Sequence, residues 1–448
     1  QISNHDRLLQ FVPESYVETV MDSFHAFRRG HPPVRFLLGH GLEDVVTFLV
    51  LHFNDDRIVN PDVRDVMFQT ISVLLLHRDF VVAFEENRSA QDSFIESLLS
   101  CFDSRFWIPV SNILLRLCKG MGFGQKRTNE STSLIFQQLV QDTCKAKPDL
   151  YAAFLNRLFT IMNWTATEFT VAMKEIQERE ESLVRGLPPT SSDLTQQQRK
   201  CSIMFELSVN LLRLLEFVVR ELPASFLGAE SSSVVNVDRL LETMSFVLQH
   251  TTVGPDSVLF ERIVVGAQHL TVLEKVSRFA ILAPVTGILT NLFVAAQERL
   301  EEKKSDLNDF VERVASSRID VACLEYLAHF VTGEVSSKPD LPSQQRLGNF
   351  QDFLSALKEV QTEREARVEV DDLEIPEKFL DPITYNLMRD PVALPSKVVV
   401  DRSTIVRHLQ TDQTDPFSRA ELTMEMVEPE EALRGEIEEW MSQQKTTK

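Results

Sequence analysis

From about residue 14 to 365, apolar side chains recur at i, i+3, i+4 and i+7, the spacing that gathers them on one face of a helix. No other feature limits the fold as much. PESYVETVMDSFHAF, GLEDVVTFLVLHF, PDVRDVMFQTISVLLLH, SFIESLLSCF and WIPVSNILLRLC each follow the pattern, with capping residues or prolines between them. Pro13 and Pro61 fall where a first helical turn tolerates a missing N–H. Longer helices are expected at 165–183, 199–222 and 284–304. FELSVNLLRLLEFVV is apolar on more than one face, which suits a helix in the centre of a stacked layer. No strict period recurs. The expectation is therefore a mainly α chain built as an irregular helical solenoid, with armadillo and HEAT repeats as structural analogies only.

Three polar stretches break the rhythm, at 186–198, 227–237 and 333–345; the first two read as surface loops and the third as a hinge. A further helix, NFQDFLSALKEVQTEREA, and the acidic run EVDDLE follow. The expected organisation is a helical body over 1–332, a hinge and helix linker over 333–367, and a last domain over 368–448.

Composition narrows the partners. A formal net charge of −20 argues against nucleic acid or an anionic membrane, which need a basic face. Apolar runs such as 45–53 and 71–76 break within about a dozen residues, short of the roughly 20 that span a bilayer. Cys101, Cys118, Cys144, Cys201 and Cys323 form no CxxC pairs, as expected for reduced thiols in a cytoplasmic or nuclear protein. The opening QISNHDRLLQF, without Met, reads as cut from something longer. GMGFGQKRT at 120–128 lacks the GK[ST] order of a phosphate loop and follows a helix, so it reads as a helix C-terminal turn.

In the last domain the periodicity changes. PVALPSKVVV reads as two short strands around a Pro-Ser-Lys turn, with Val392, Leu394, Val398 and Val400 as inward or cross-strand residues. DRSTIVRHL opens a helix with Ser403 as candidate cap and Ile405 and Leu409 buried, and EEALRGEIEEWM closes the domain through Leu433, Ile437 and Trp440. About 70 residues rarely bury enough apolar surface to stand alone. The module has no cysteine and a single histidine, His408, so a metal staple is not expected. Asp381, Asp401, Arg402, Thr414 and Asp415 are the candidates for tying its loops together by charge-assisted hydrogen bonds.

The run IPEKFLDPITYNLMRDPVALPSKVVVDRSTIVRHLQTDQTDPFSRAELT resembles a U-box, the zinc-free counterpart of a RING domain, and looks most like the U-box of the E4 chain-elongating ubiquitin ligases. The long core region that precedes the U-box in E4 proteins is not evident upstream. Instead FVPESYVETVMDSFHAFR, FWIPVSNILLRLCKGMGF, FLNRLFTIMNWTATEF, QQRKCSIMFELSVNLLRLLEF and LEKVSRFAILAPVTGIL resemble the helical portion of the ligase in the Kip ubiquitylation-promoting complex and its plant relatives. That family ends in a RING and begins with a SPRY domain, and this chain shows neither.

The resemblance implies a helical body followed by a small α+β zinc-free U-box, acting as an E3 ubiquitin-protein ligase with no cofactor. Its implied partners are a ubiquitin-conjugating enzyme (E2), ubiquitin and a protein substrate, with a U-box-mediated dimer as a further assembly. Ile383 and Tyr385 of the first loop and Pro416 of the second would form the E2 groove, and Arg419 would be the linchpin whose planar fork bridges E2 and ubiquitin. The resemblance leaves two other readings open, an E4-like elongation factor and a non-catalytic helical scaffold with an inactive U-box. Read from the residues alone, Ile383 could be core, Tyr385 a surface aromatic, Pro416 a turn residue, and Arg419 a partner of Asp415 or Glu421.

Overall fold

The computed structural model of the chain describes residues 11–27, 41–102, 105–118, 122–123, 133–185, 191–228, 230–267, 272–299, 306–336, 344–368, 376–385, 387–388, 390–409 and 414–446. The chain forms two compact units, residues 1–361 and 362–448.

Among the described residues, the regular structure of the first unit is all helical. Its helices are α1 (Glu14–Phe27), α2 (Leu42–His52), α3 (Pro61–Leu74), α4 (Arg78–Glu86), α5 (Ile95–Cys101), α6 (Trp107–Leu117), α7 (Leu134–Ala146) and α8 (Pro148–Val184). They continue as α9 (Ser191–Glu221), α10 (Ser231–Thr251), α11 (Pro255–Ala267), α12 (Arg278–Arg299), α13 (Asp306–Ser316), α14 (Val321–Ser336) and α15 (Gln344–Val368), the last of which runs past residue 361 into the second unit. Local chemistry sets several starts. Asn60 caps α3 by accepting from the Asp62 N–H at 3.0 Å with Pro61 next to it, and Ser133 caps α7 by accepting from the Phe136 N–H at 3.1 Å. Pro13 lies just before α1 rather than within it.

Of the stretches at 186–198 and 227–237, expected as loops, residues 191–198 and 231–237 are helical, since α9 begins at Ser191 and α10 at Ser231. Serine, threonine and aspartate favour caps and first turns, so a polar run can open a helix as readily as separate two. Much of the 333–345 hinge lies outside the described residues. The linker helix α15 buries Phe350, Phe353 and Leu357 in the core of the first unit, with Phe353 against Phe293 of α12 at 5.5 Å.

One continuous core runs from Val17 to Leu357. The long helices α8 and α9 pack along each other, and Lys200 of α9 bridges Glu168 (3.2 Å) and Glu175 (3.5 Å) of α8. Helix α12 packs on α9 and is buried on all sides, from Ile281 through Thr290. By length and composition α12 is apolar enough to cross a membrane, which corrects the expectation that every apolar run stops short; here its apolar faces meet neighbouring helices. Phe123, in the GMGFGQKRT stretch, is buried, and its N–H donates to Glu216 of α9 at 2.5 Å.

The second unit has a three-stranded antiparallel sheet in the order β2-β1-β3, formed by β1 (Pro391–Ala393), β2 (Val399–Asp401) and β3 (Glu428–Pro429). Val392 pairs with Val400 in one direction and Pro429 in the other. The two-residue β3 goes beyond the two strands expected; a dipeptide offers no alternation to read. Helix α16 (Arg402–Leu409) follows β2, and α17 (Glu431–Thr446) closes the unit. Alternation divides the apolar residues between two small clusters. Val392, Leu394, Val400, Ile405, Leu422 and Val427 form one, with Val398 and Leu409 at its edge; Phe379, Met388 and Ile437 form the other, with Val399, Leu433 and Trp440.

Candidate functional site

Two loops of the second unit share one design. Each begins with Asp-Pro: Asp381-Pro382-Ile383-Thr384-Tyr385 and Asp415-Pro416-Phe417-Ser418-Arg419. In the first, Asp381 Oδ1 accepts from the N–H groups of Ile383 (2.7 Å) and Thr384 (3.0 Å), and the Tyr385 N–H donates back to the Asp381 carbonyl at 2.7 Å. In the second, Asp415 Oδ1 accepts from Phe417 (2.9 Å) and Ser418 (3.1 Å), and the Arg419 N–H donates to the Asp415 carbonyl at 2.7 Å. Both turns end on a residue with positive φ, Tyr385 at 55° and Arg419 at 59°. That region is strained for a side chain with a Cβ, and the aspartate brackets hold it.

The other carboxylate oxygen of each aspartate fastens its loop to the hairpin. Asp381 Oδ2 accepts from the Asp401 N–H at 2.7 Å, and Asp415 Oδ2 from the Ser396 N–H at 3.2 Å. Asp401 in turn caps α16, its Oδ1 accepting from the Ser403 N–H (3.0 Å) and hydroxyl (2.6 Å), and its Oδ2 accepts from the Asp390 N–H at 3.1 Å. The cap is therefore Asp401, not Ser403 as expected; a carboxylate has oxygens to spare for both a cap and a cross-link. Arg402 donates its Nε to Asp390 Oδ2 at 2.6 Å and its N–H to the Asp390 carbonyl at 2.8 Å. Thr414 contributes its backbone carbonyl, which pairs with His408 Nε2 at 2.8 Å at the other end of α16. Loop one is thus tied near the N-terminus of α16 and loop two near its C-terminus, about 12 Å apart for an eight-residue helix.

Asp381 and Asp415 are buried, at 1% and 0% exposure. Burial by itself would raise the Asp415 carboxyl; the amides of Ser418, Phe417 and Ser396 outweigh it and hold the group below the usual carboxylate range. What the brackets present is apolar. Ile383 is 42% exposed, Tyr385 74% and Phe417 43%, with Pro416 half-buried. Ile383 thus lies outside the core clusters, and among the described residues Arg419 makes no side-chain hydrogen bond or ion pair, with Asp415 or Glu421 or any other group. No group of three His, Cys, Asp or Glu side chains among the described residues is placed to hold a metal ion.

Phe417, Asp390, Ser396 and His408 were not among the site residues expected from sequence. A signal for Phe417 was present: it stands two residues after Asp415, as Ile383 stands two after Asp381. The cross-links of Asp390 and Ser396 had none, because backbone amides carry no sequence mark.

Comparison with known proteins matches two separate stretches of the chain. The family described as RNF123-like, TPR repeat matches residues 152–364, in keeping with a helical repeat in the body. An E3 ubiquitin-protein ligase, RKP, of Arabidopsis thaliana is 36% identical over 80% of this chain and 27% of its own length. The E4 ubiquitin-protein ligase UFD2 of Saccharomyces cerevisiae is 27% identical over 87% of this chain and 36% of its own length. Likeness to E4 proteins therefore extends upstream of the last domain, contrary to expectation; at 27% identity it is too dilute for short segments to reveal. Ubiquitin conjugation factor E4 A of Mus musculus is 53% identical over 73 residues, 16% of this chain and 7% of its own length. The chain spans about a third or less of these relatives. The U-box family matches residues 375–446, the stretch that holds both Asp-Pro loops, the hairpin and α17, so the last domain of this chain is a U-box.

Proposed function

We propose that the chain promotes transfer of ubiquitin from a charged E2 to a substrate lysine, as an E3 ubiquitin-protein ligase of the non-covalent type. The observation that carries this reading is the pair of braced loops presenting Ile383, Tyr385, Pro416 and Phe417 to solvent, with the unpaired guanidinium of Arg419 beside them. Apolar anchors on rigid turns suit the loops of an E2, and binding by a few such anchors is typical of a small interface. In the reaction a lysine ε-amine attacks the thioester carbonyl, the carbon–sulfur bond breaks, and the E2 cysteine leaves as thiolate while an isopeptide bond forms. The ligase would hold the flexible conjugate in its reactive conformer, which removes part of the entropic barrier. A guanidinium with several donors on one plane is suited to bridging acceptors on E2 and ubiquitin.

Direct transfer is supported by the state of the thiols. All five cysteines are buried away from solvent, where a relay thiol could not be reached, and burial pushes Cys101, Cys144 and Cys201 up to about 12 and raises Cys118 as well. The helical body would hold the substrate or a partner, in the cytoplasm or nucleus. A second reading, extension of existing chains, is favoured by the likeness to UFD2 across 87% of this chain.

The test is an in-vitro assay with E1, ATP and a panel of E2 enzymes, comparing wild type with Ile383→Ala and Arg419→Ala. Chain formation by wild type that both folded variants lose supports the ligase. Silence with every E2 sinks it. Activity confined to a pre-ubiquitylated substrate identifies chain extension.

A further inference from the structure

The two Asp-Pro loops differ at the residue that enters them. Leu380 enters the first and Thr414 the second, and each is bridged antiparallel to a residue beyond its loop, Leu380 to Leu387 and Thr414 to Glu421. The Thr414 carbonyl also accepts from the imidazole of His408, on the last turn of α16, at 2.8 Å from Nε2. A carbonyl only accepts, so Nε2 carries the hydrogen. Among the described residues, no side chain donates to the carbonyl of Leu380. The second loop therefore has a tether that the first lacks.

What the loops carry differs in the same sense. The first presents Ile383 and Tyr385, whose apolar contacts tolerate a small shift because the hydrophobic effect has no direction. The second carries Arg419, and a guanidinium bonds well only when its N–H groups point at their acceptors. The Thr414 carbonyl and the Asp415 N–H are the two ends of one planar peptide group. His408 holds the first end, and the second donates to the Ala420 carbonyl at 2.8 Å, next to Arg419. The Asp415 carbonyl then accepts from the Arg419 N–H at 2.7 Å, with Arg419 at φ 59°. Fixing that peptide plane fixes the frame from which the guanidinium projects. We propose that His408 is a positioning residue for ubiquitin transfer, which aims Arg419 by holding the Thr414–Asp415 peptide. The proposal rests on the ligase reading of Arg419.

The test is single-turnover discharge of a ubiquitin-charged E2 onto free lysine by the full chain, with affinity for the E2 measured separately by calorimetry. His408→Leu keeps bulk and drops the donor. At saturating E2 it should slow discharge about tenfold, because misaimed groups cost rate, while affinity set by the apolar anchors stays within about twofold. His408→Gln, whose amide nitrogen reaches the same carbonyl, should restore most of the rate. In an Arg419→Ala background, His408→Leu should change the residual rate by no more than about twofold, since the group it aims is gone. The proposal is overturned if His408→Leu discharges at the wild-type rate, if Gln fails to restore it, or if the loss is as large without Arg419 as with it. It is equally overturned if affinity falls in step with rate, which makes His408 a support of the whole module. Wild type that discharges no E2 removes the ligase reading and this inference with it; wild type that needs Arg419 but not His408 removes this inference alone.

Discussion

The helical body and the U-box each bury carboxylates, and they do so on opposite terms. In the body, Glu216 is 3% exposed; its Oε1 accepts from the Phe123 N–H at 2.5 Å and its Oε2 from Arg213 Nη1 at 2.9 Å, while Arg213 also donates to the Phe123 carbonyl at 2.7 Å. Desolvation dominates there and raises the carboxyl above its ordinary value, although Arg213 and the Phe123 amide pull the other way. In the U-box, Asp415 is as buried, yet the amides of its own loop and of the hairpin hold it low. The body has a core running from Val17 to Leu357 and can carry one poorly solvated charge within it. The U-box has two clusters of a few residues each, and its aspartates do the joining that a larger core would do elsewhere. A buried charge is thus tolerated in one unit and structural in the other.

The largest test of that contrast is Asp381→Ala. It strands the amides of Ile383, Thr384 and Asp401, which should remove about 2–4 kcal/mol. A small module rarely has more than about 3–5 kcal/mol to lose, so the U-box should unfold while the body stays protected, as read by hydrogen exchange. If both units melt together, the division of labour is wrong.

Next is Gly287→Ala in α12. The added Cβ would collide with Glu216 Oε1, and overpacking of this kind costs about 1–3 kcal/mol. Combined with Glu216→Gly, which empties the space, the Gly287→Ala penalty should shrink markedly, a non-additivity visible in denaturant midpoints. Simple additivity would show that the two groups do not share that volume.

The two charges should also give opposite pH slopes. Asp415 has a lowered native value, so its contribution is present above its unfolded value of about 3.9 and is lost as pH falls through the native value. Glu216 has a raised native value, so its contribution declines as pH rises from about 4.3 through that value. Comparing wild type with Asp415→Asn and Glu216→Gln by exchange in each unit should therefore remove acid sensitivity in the first variant and improve relative stability at neutral pH in the second. Slopes of the same sign would refute the distinction.

The smallest effect on stability is expected at Arg419. With φ at 59°, Arg419→Gly should keep or raise stability by up to about 1 kcal/mol, while ubiquitin discharge from a charged E2 falls away. Loss of both together would make Arg419 a structural residue.

Much of this was legible beforehand. The spacing of Val392, Leu394 and Val400, and of Leu433, Ile437 and Trp440, assigned the inner faces of the U-box, because burial on one side of a strand or helix imposes a period on the residues themselves. Polar runs misled at Ser191 and Ser231, since the same residue types serve as separators and as helix starts. The Asp-Pro repeat was in the sequence, but its meaning depends on the tertiary fold: Asp381 and Asp415 act on amides of residues 401 and 396, and an amide looks the same at every position.

By itself, then, the sequence determined the helical character of the described residues between 14 and 365, the change of period at the U-box and the lack of cysteine in that module, because each is a matter of residue type and local spacing. The tertiary structure alone decided that Asp401 rather than Ser403 caps α16, that Arg419 points free of its neighbours, that Gly287 leaves room for Glu216, and that Trp107 meets Trp164. These depend on which groups distant in the chain come within hydrogen-bonding or van der Waals reach, and no local pattern encodes that distance.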